Sequence, residues 1–377
     1  MSEKQKRKLK LVLSDFHIGP GLYLKDGTRN ILEDFQYDDA FTAFLNHYSS
    51  GEYHDAEVEL VINGDFFNLL QINYMGVYTH MLTERIVLDG LKRSLEGHCE
   101  VFDALRKFGK TPGHTISYVI GNHDQGMLFG KAKKYFAQEM EHDIQFYDSF
   151  YEFDGIHIEH GHMHEWNSRF DPKRYFVSRG LPEPVLNLPW GSVFVSEFLP
   201  KLKMERPYID KVKPFRQMLR WMFINDLQFA IKTFFKIVFY FTKAVFFQGD
   251  RKYFTVRGAW GLIQNITIYP DFDREAKKIL TSSSDIHALI MGHTHVLKYK
   301  RYREGKEFFN TGTWNEATNL QIGNLGTQLM LTYALIEYPE IPEGVDPETL
   351  HDKSLLKPKV KLKEWKGVWR PVIDAAI

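Results

Sequence analysis

A single cysteine among 377 residues excludes an intrachain disulfide and any zinc or iron–sulfur site built on several thiolates. An excess of one charge is also missing, because 48 basic side chains meet 48 acidic ones. The chain thus has neither the basic footprint of a nucleic-acid binder nor an acidic tail, and no nucleic-acid partner is expected. Nor is there a run of about 18 uncharged apolar residues, the least that a spanning helix needs. The most apolar stretch, 221–247, is interrupted by Asp226, Lys232, Lys236 and Lys243. The N-terminal segment MSEKQKRKLKLVLSD reaches Asp15 after too few apolar residues for a secretory signal, and it reads as a solvated lead-in to a first strand. A cytoplasmic protein is expected, with no internal repeat. Sixteen His and an aromatic content of 15 %, including thirty Phe, are what remain to be explained. Metal chemistry in such a chain falls to imidazole and carboxylate.

Short apolar runs bounded by turn residues recur along the chain: KLKLVLSD, VELVINGD, HTISYVIGN, YEFDGIHIEHG and DIHALIMGHTH. Their length and their Val and Ile content predict buried strands. Segments 37–47 and 82–108 are long enough for helices between them. Strand–helix alternation points to an α/β architecture, in which ligands gather at the carboxyl ends of strands. After His164 the texture changes. Residues 165–255 are rich in Pro, aromatics and basic side chains, with a helical stretch at 215–247. Strand-like texture resumes at Asp285, and the tail 341–377 reads as extended and loosely attached. The expected division is a catalytic unit formed by 8–170 and 255–340, a helical insertion at 171–254, and that tail.

The informative residues stand at five strand ends. Asp15 and His17 follow the first, spaced so that both can point to one side. Gly64-Asp65 follows the second, where the Gly permits a tight turn that lets the carboxylate project. Gly121-Asn122-His123-Asp124 follows the third, His160-Gly161-His162 the fourth and Gly292-His293-Thr294-His295 the fifth. Each pattern alone is ordinary, since strands often end in polar turns. Five consecutive strand ends carrying oxygen or imidazole donors, four of them with His, are not.

In this ordered set the chain resembles the calcineurin-like metallophosphoesterase superfamily, whose blocks are Asp-x-His, Gly-Asp, Gly-Asn-His-Asp/Glu, a His after a strand, and Gly-His-x-His. The resemblance spans residues 13–295. It implies a four-layer α/β/β/α sandwich with two divalent metal ions at the strand ends. One ion would take Asp15, His17, Asp65 and His295; the other would take Asp65, Asn122, His160 and His293, with Asp65 bridging. His123 would stabilise the transition state or protonate the leaving oxygen, and Asp124 would orient its ring. A donor set of N and O without sulfur suits Mn, Fe or Zn and does not choose among them; Mn is the ion expected, with Fe or Zn as alternatives. Two carboxylates and a bridging hydroxide against two dications leave the site at roughly +1, attractive to a phosphate anion. His162 is open between a substrate contact and a supporting or surface role, and His164 reads as structural.

Gly-Asp-Phe-Phe-Asn at 64–68, with Asn68 as a candidate substrate contact, and His160-Gly161 are most similar to the UDP-2,3-diacylglucosamine diphosphatase-like branch. Asn-Thr-Gly-Thr-Trp at 310–314 resembles the segment that follows the last block in the family. The branch implies a small amphiphilic or nucleotide-linked phosphodiester or pyrophosphate as substrate. Read as one helix, 215–247 places Asn225, Lys232, Lys236 and Lys243 within about 40° on an otherwise apolar surface. This fits either a helix packed on the catalytic unit with a solvated Lys edge, or a lid over the metals that holds acyl chains or meets the inner face of a membrane. Arg206, Lys211, Lys213, Arg216 and Arg220 add basic character, with Arg216 and Arg220 as candidate substrate contacts. The rival readings are a phosphomonoesterase or phosphoprotein phosphatase, and a non-catalytic peripheral membrane protein on the same fold. The latter has no physical need for seven metal-directed side chains.

Overall fold

The computed structural model describes residues 6–24, 26–207, 209, 211–213, 215–247, 272–319, 326–340 and 356–367. The part of the expected catalytic unit at 255–271, the insertion's last residues 248–254, and 341–355 and 368–377 of the tail lie outside them.

Two sheets form the centre. In the first, β1 (Lys8–Leu13), β2 (Glu57–Asn63), β3 (His114–Val119) and β4 (Ile144–Tyr147) are parallel neighbours. β15 (Thr332–Glu337) pairs antiparallel with β1, and β16 (Lys359–Glu364) closes that edge. In the second sheet β6 (Ile156–Glu159), β10 (Ala288–Met291) and β12 (Glu307–Thr311) are parallel. β5 (Phe150–Phe153) and β11 (Leu297–Arg301) flank them antiparallel. The short strands β7 (Phe176–Val177), β8 (Val185–Leu186), β9 (Val212–Lys213), β13 (Ala317–Asn319) and β14 (Gly326–Gln328) form two small sheets outside this centre.

Side-chain alternation decides the layers. Val12, Val61, Ala334 and Ile336 of the first sheet meet Ile156, Ile158, Ala288, Ile290 and Phe309 of the second in one buried cluster. The intervening Leu11, Leu13, Leu60 and Ile62 face a larger core with helices α1 (Asp38–Tyr48), α2 (Glu84–Gly97), α3 (Cys99–Lys110) and α4 (Gly130–Met140). On the far side, Leu289, Met291 and Phe308 pack on α9 (Asp273–Ser282) through Ala276 and Leu280. Strands apolar on both faces are what a doubly covered sheet requires, and the result is the expected α/β/β/α sandwich. The insertion has its own small core, in which α5 (Trp190–Glu197), α6 (Leu199–Glu205), α7 (Phe215–Asn225) and α8 (Leu227–Phe247) meet through Phe194, Phe198, Leu202, Met218, Met222 and Phe229.

The stretch 82–108, read as long enough for helices, carries α2 and the greater part of α3, which meet at His98. Two expectations need correction. The stretch 215–247 is also two helices, broken at Asp226, so Asn225 shares no face with Lys232 and Lys236. Lys232 and Lys236 pair with Glu205 of α6, their side chains 57 % and 35 % exposed; the Lys243 side chain lies outside the described residues. Finally, the tail is not all loose: β16 pairs along six residues of β15, and Trp365 is buried.

The break at His98 has a physical cause. Its Nδ1 lies 2.8 Å from Asp38 Oδ1 at the start of α1, and its Nε2 lies 3.5 Å from Glu33 Oε2. Glu33 in turn accepts from the backbone N–H groups of Gly19 and Gly21, so the imidazole anchors the loop that follows His17. Burial works against charge on this ring, but the hydrogen bonds to Asp38 and Glu33 outweigh it and raise the pKa to about 9. A folded-state pKa above the unfolded value of about 6.5 stabilises the fold fully below pH 6.5. That contribution is lost as pH rises through about 9. We predict a decline on the order of 3 kcal/mol across that window in urea unfolding, absent in His98→Gln. An equal slope in the variant would refute this assignment.

Candidate metal centre

Because β1, β2 and β3 are parallel neighbours, and so are β6 and β10, their carboxyl ends open at one end of the sandwich. This brings together all seven side chains expected to hold metal. His17 Nε2 lies 3.0 Å from His295 Nε2, 3.9 Å from Asp15 Oδ1 and 3.8 Å from Asp65 Oδ2. His295 Nε2 is 3.2 Å from Asp15 Oδ1. On the other side, His160 Nε2 is 3.1 Å from Asp65 Oδ2. Potential ligand atoms of Asp15, His17 and His295 lie within 4.8 Å of one another, as do those of Asp65, His160 and His293. Asp65 therefore stands between the two groups. Asp15, Asp65 and His160 are essentially fully buried.

The backbone is bent to make this possible. Asp15, His17, Asp65, His293 and His295 all have positive φ, between 51° and 68°. Non-glycine residues pay about 1–3 kcal/mol each for such a conformation, and they hold it where the surroundings enforce it. The three glycines that directly precede candidate ligands, Gly64, Gly121 and Gly292, are required by space. A Cβ on Gly121 would stand 2.3 Å from Asp65 Oδ1, and one on Gly64, at φ +78°, would stand 2.6 Å from the His160 ring. We predict that Gly64→Ala lowers stability by about 1–3 kcal/mol and displaces His160. Mn binding measured by calorimetry should weaken accordingly, and wild-type affinity would contradict the prediction.

The donor set fits a pair of divalent cations. Asn122 Oδ1 is buried without a hydrogen-bond partner, and His160 Nε2 has no well-directed bond although Asp65 lies close. His160 Nδ1 is held by the Asn63 carbonyl at 2.9 Å, which leaves Nε2 for an ion. Two imidazole nitrogens at about 2.1 Å from a shared ion stand about 3 Å apart, as those of His17 and His295 do. Burial disfavours charge on His160, yet Asp65 and Asp15 draw a proton onto it and raise its pKa to about 10. Asp65 is itself held ionised, well below the usual carboxylate range, by His160, His123 and His17 against the cost of burial. Asp65 thus brings a buried negative charge to the pocket, which dications would balance.

His123 lines the crevice beside these groups, its ring 4.4 Å from that of His17, and its backbone N–H donates to Asp65 Oδ1 at 2.7 Å. Burial, with His295, His293 and His160 nearby, lowers its pKa to about 4 despite Asp65, so the ring is neutral. Its orientation comes from a residue other than the expected one. Asp124 does not bond the ring; it accepts from Phe66 N, Tyr118 Oη and Gly121 N, tying the β2 and β3 turns together. Burial and the Asp65 charge push Asp124 up to about 7. The ring partner is Asn68, whose Oδ1 lies 3.0 Å from His123 Nδ1, so Asn68 is a positioning group. Asn68 Nδ2 donates to Asp34 Oδ2 at 3.4 Å, and Asp34 is held by Lys203 of α6. No motif marks Asp34 or Lys203.

His162 is fully buried against Phe170, neither ring nitrogen has a hydrogen-bond partner, and it does not line the crevice. This removes it as a substrate contact; burial, with His160 and His293 nearby, holds its pKa well below the ordinary value. His164 bonds Glu159 at 2.5 Å, a structural role. Arg220 is exposed and outside the crevice lining, while the Arg216 side chain lies outside the described residues. The basic group that lines the crevice is Lys211. The segment 310–314 braces the site: Asn310 Nδ2 donates to Gly292 O, Thr313 Oγ1 to Asp15 O, and Trp314 stacks on Phe16.

The crevice has a volume of about 230 Å³ and is lined by His17, Asp65, Asn122, His123, His293 and His295 together with Val195, Leu199 and Lys211 from the insertion. Among the described residues none of 215–247 lines it, and the insertion's described part of the wall is α5, the start of α6 and Lys211.

No family model and no curated protein matches the chain. Among solved structures, a dimetal phosphatase from Danio rerio is 10 % identical, with 89 % of this chain and 98 % of that one covered and a TM-score of 0.36. The calcineurin-like phosphoesterase YfkN from Bacillus subtilis is 13 % identical, over 96 % and 91 % of the two chains, at a TM-score of 0.33. Vps29 from Entamoeba histolytica, crystallised with zinc, is 13 % identical over 95 % and 99 %, at 0.27. At such TM-scores these likenesses carry no weight, and the assignment of two-metal ligands rests on the convergence of five strand ends described above.

Proposed function

We propose that this protein is a metal-dependent phosphoester hydrolase, acting on a phosphodiester or pyrophosphate of a lipid- or nucleotide-linked substrate. The observation that carries the reading is the convergence of seven N and O donors, with Asp65 shared, on one crevice lined by His123. Two dications held there would lower the pKa of a bound water and withdraw charge from phosphoryl oxygens. The chain's own part is positional. Asn68 Oδ1 accepts from Nδ1–H of His123, which leaves Nε2 to the crevice. Lys211 adds a cation to the crevice lining for a second phosphoryl group.

The lipid-linked part draws support from the insertion. Leu227, Ile231, Phe235 and Phe239 recur every four residues along α8 and are 46–71 % exposed. An exposed row of this size on one helix face is a surface for apolar material. No helix among the described residues is long and apolar enough to cross a membrane, so contact with a bilayer would be peripheral.

The test is hydrolysis of a panel of phosphomonoesters, phosphodiesters, nucleoside-diphosphate-linked lipids and nucleotide pyrophosphates with added Mn. Wild type should turn over diesters or pyrophosphates, and His123→Ala should be slower by about 10²–10⁴. No hydrolysis of any member would sink the enzyme reading; turnover of monoesters alone would replace the substrate class.

A further inference from the structure

His293 Nε2 lies 2.8 Å from Glu165 Oε2. Glu165 follows the short turn His162–His164 and belongs to none of the strand-end motifs. Its backbone is fixed on both sides, by a bond from its N–H to His162 O and by bonds to its carbonyl from Ser168 N and Arg169 N. Its carboxylate also accepts from Ser168 Oγ at 3.2 Å. The Glu165 and His293 side chains are only 17 % and 10 % exposed, so their bond is little screened.

A ligating imidazole has one nitrogen for the ion and one N–H that needs an acceptor. His160 meets this need with the Asn63 carbonyl. His293, its fellow in the second ligand group, has no comparable main-chain acceptor described; it has Glu165. We propose that Glu165 is a positioning residue of the metal centre. By accepting from Nε2–H it selects the tautomer in which Nδ1 of His293 binds the second ion, and its negative charge makes that nitrogen a stronger donor. The carboxylate–imidazole pair places an anionic side chain directly behind a candidate ligand on the side of the His160 and His293 ion. The two ions then differ in affinity for a reason written in the chain. This inference rests on the two-metal reading above.

The test uses the full chain, stripped of metal by chelation and titrated with Mn(II) by calorimetry, with electron paramagnetic resonance following the spin-coupled pair. Wild type should bind two ions. Glu165→Leu, which removes the acceptor, should weaken one ion by about 10–100-fold and leave the other unchanged. The coupled signal should then give way to that of an isolated Mn(II) at intermediate concentrations. Glu165→Gln, which keeps an acceptor oxygen but not the charge, should recover part of the loss. It also serves as the readout should the Leu variant not fold. Two ions bound with wild-type affinities in Glu165→Leu or Glu165→Gln would overturn the proposal while leaving the hydrolase reading intact. Equal weakening of both ions would also overturn it. A wild-type chain that binds no Mn pair would overturn the two-metal reading and this inference together.

Discussion

Asp65→Ala is expected to lower phosphoester turnover by at least about 10³-fold and to reduce Mn stoichiometry below two. One carboxylate serves both ligand groups: Oδ2 faces His160 at 3.1 Å and His17 at 3.8 Å, while Oδ1 accepts from His123 N at 2.7 Å. Its loss removes the shared anion, one of the two carboxylates among the seven candidate ligands, and the bond that holds the His123 backbone. Metal activation of water and clamping of phosphoryl oxygens are worth several kcal/mol of barrier, and about 4 kcal/mol corresponds to 10³ in rate. Mn stoichiometry by calorimetry and turnover in the same preparation decide the matter. Two tightly bound ions with turnover within tenfold of wild type would refute the bridging role.

Lys203→Met should cost about 3–5 kcal/mol of stability, the usual consequence of leaving one partner of a buried pair uncompensated. Lys203 is fully buried, with Nζ at 2.8 and 3.0 Å from the two oxygens of Asp34. Asp34 then loses the cation that holds both of its oxygens. Through Asn68 Nδ2 that slack reaches the His123 ring, so turnover should fall by about 10–100-fold even at temperatures where the variant is folded. The double variant Lys203→Met/Asp34→Leu removes the stranded charge and should recover much of the stability but not the turnover. Urea unfolding and steady-state kinetics on the three proteins form the test. A single variant within about 1 kcal/mol of wild type would show that the pair contributes little.

The candidate metal ligands were legible because each pair or triplet is local in sequence and its strand is recognisable by an apolar run. Parallel pairing then does the rest: β1, β2 and β3 must end on the same side, so Asp15, Asp65 and Asn122 must meet. The support of His123 was not legible in the same way. Asp124 is adjacent in sequence and is a carboxylate, which made it the natural partner, yet the turn geometry directs it to three donors of the β2–β3 region. Asn68 was read as a substrate contact because nothing in a sequence says which way an amide points.

What the sequence by itself determined is the chemistry on offer: a single cysteine, no run of about 18 uncharged apolar residues, balanced charge, and strand ends carrying nitrogen and oxygen donors. Those are properties of residue type and short-range order, which periodicity and composition express directly. What only the tertiary structure decided is which distant groups share low-dielectric space. Asp34 and Lys203 are 169 residues apart and Glu165 and His293 are 128 apart. The two members of each pair meet because separately formed elements pack together, and a buried charge then requires a partner wherever the fold can supply one. The breaks at His98 and Asp226 have the same character. Helix periodicity runs through both, and tertiary contacts, through Asp38 and Glu33 at the first and through Arg206, 2.8 Å from Asp226, accompany the turn of the chain.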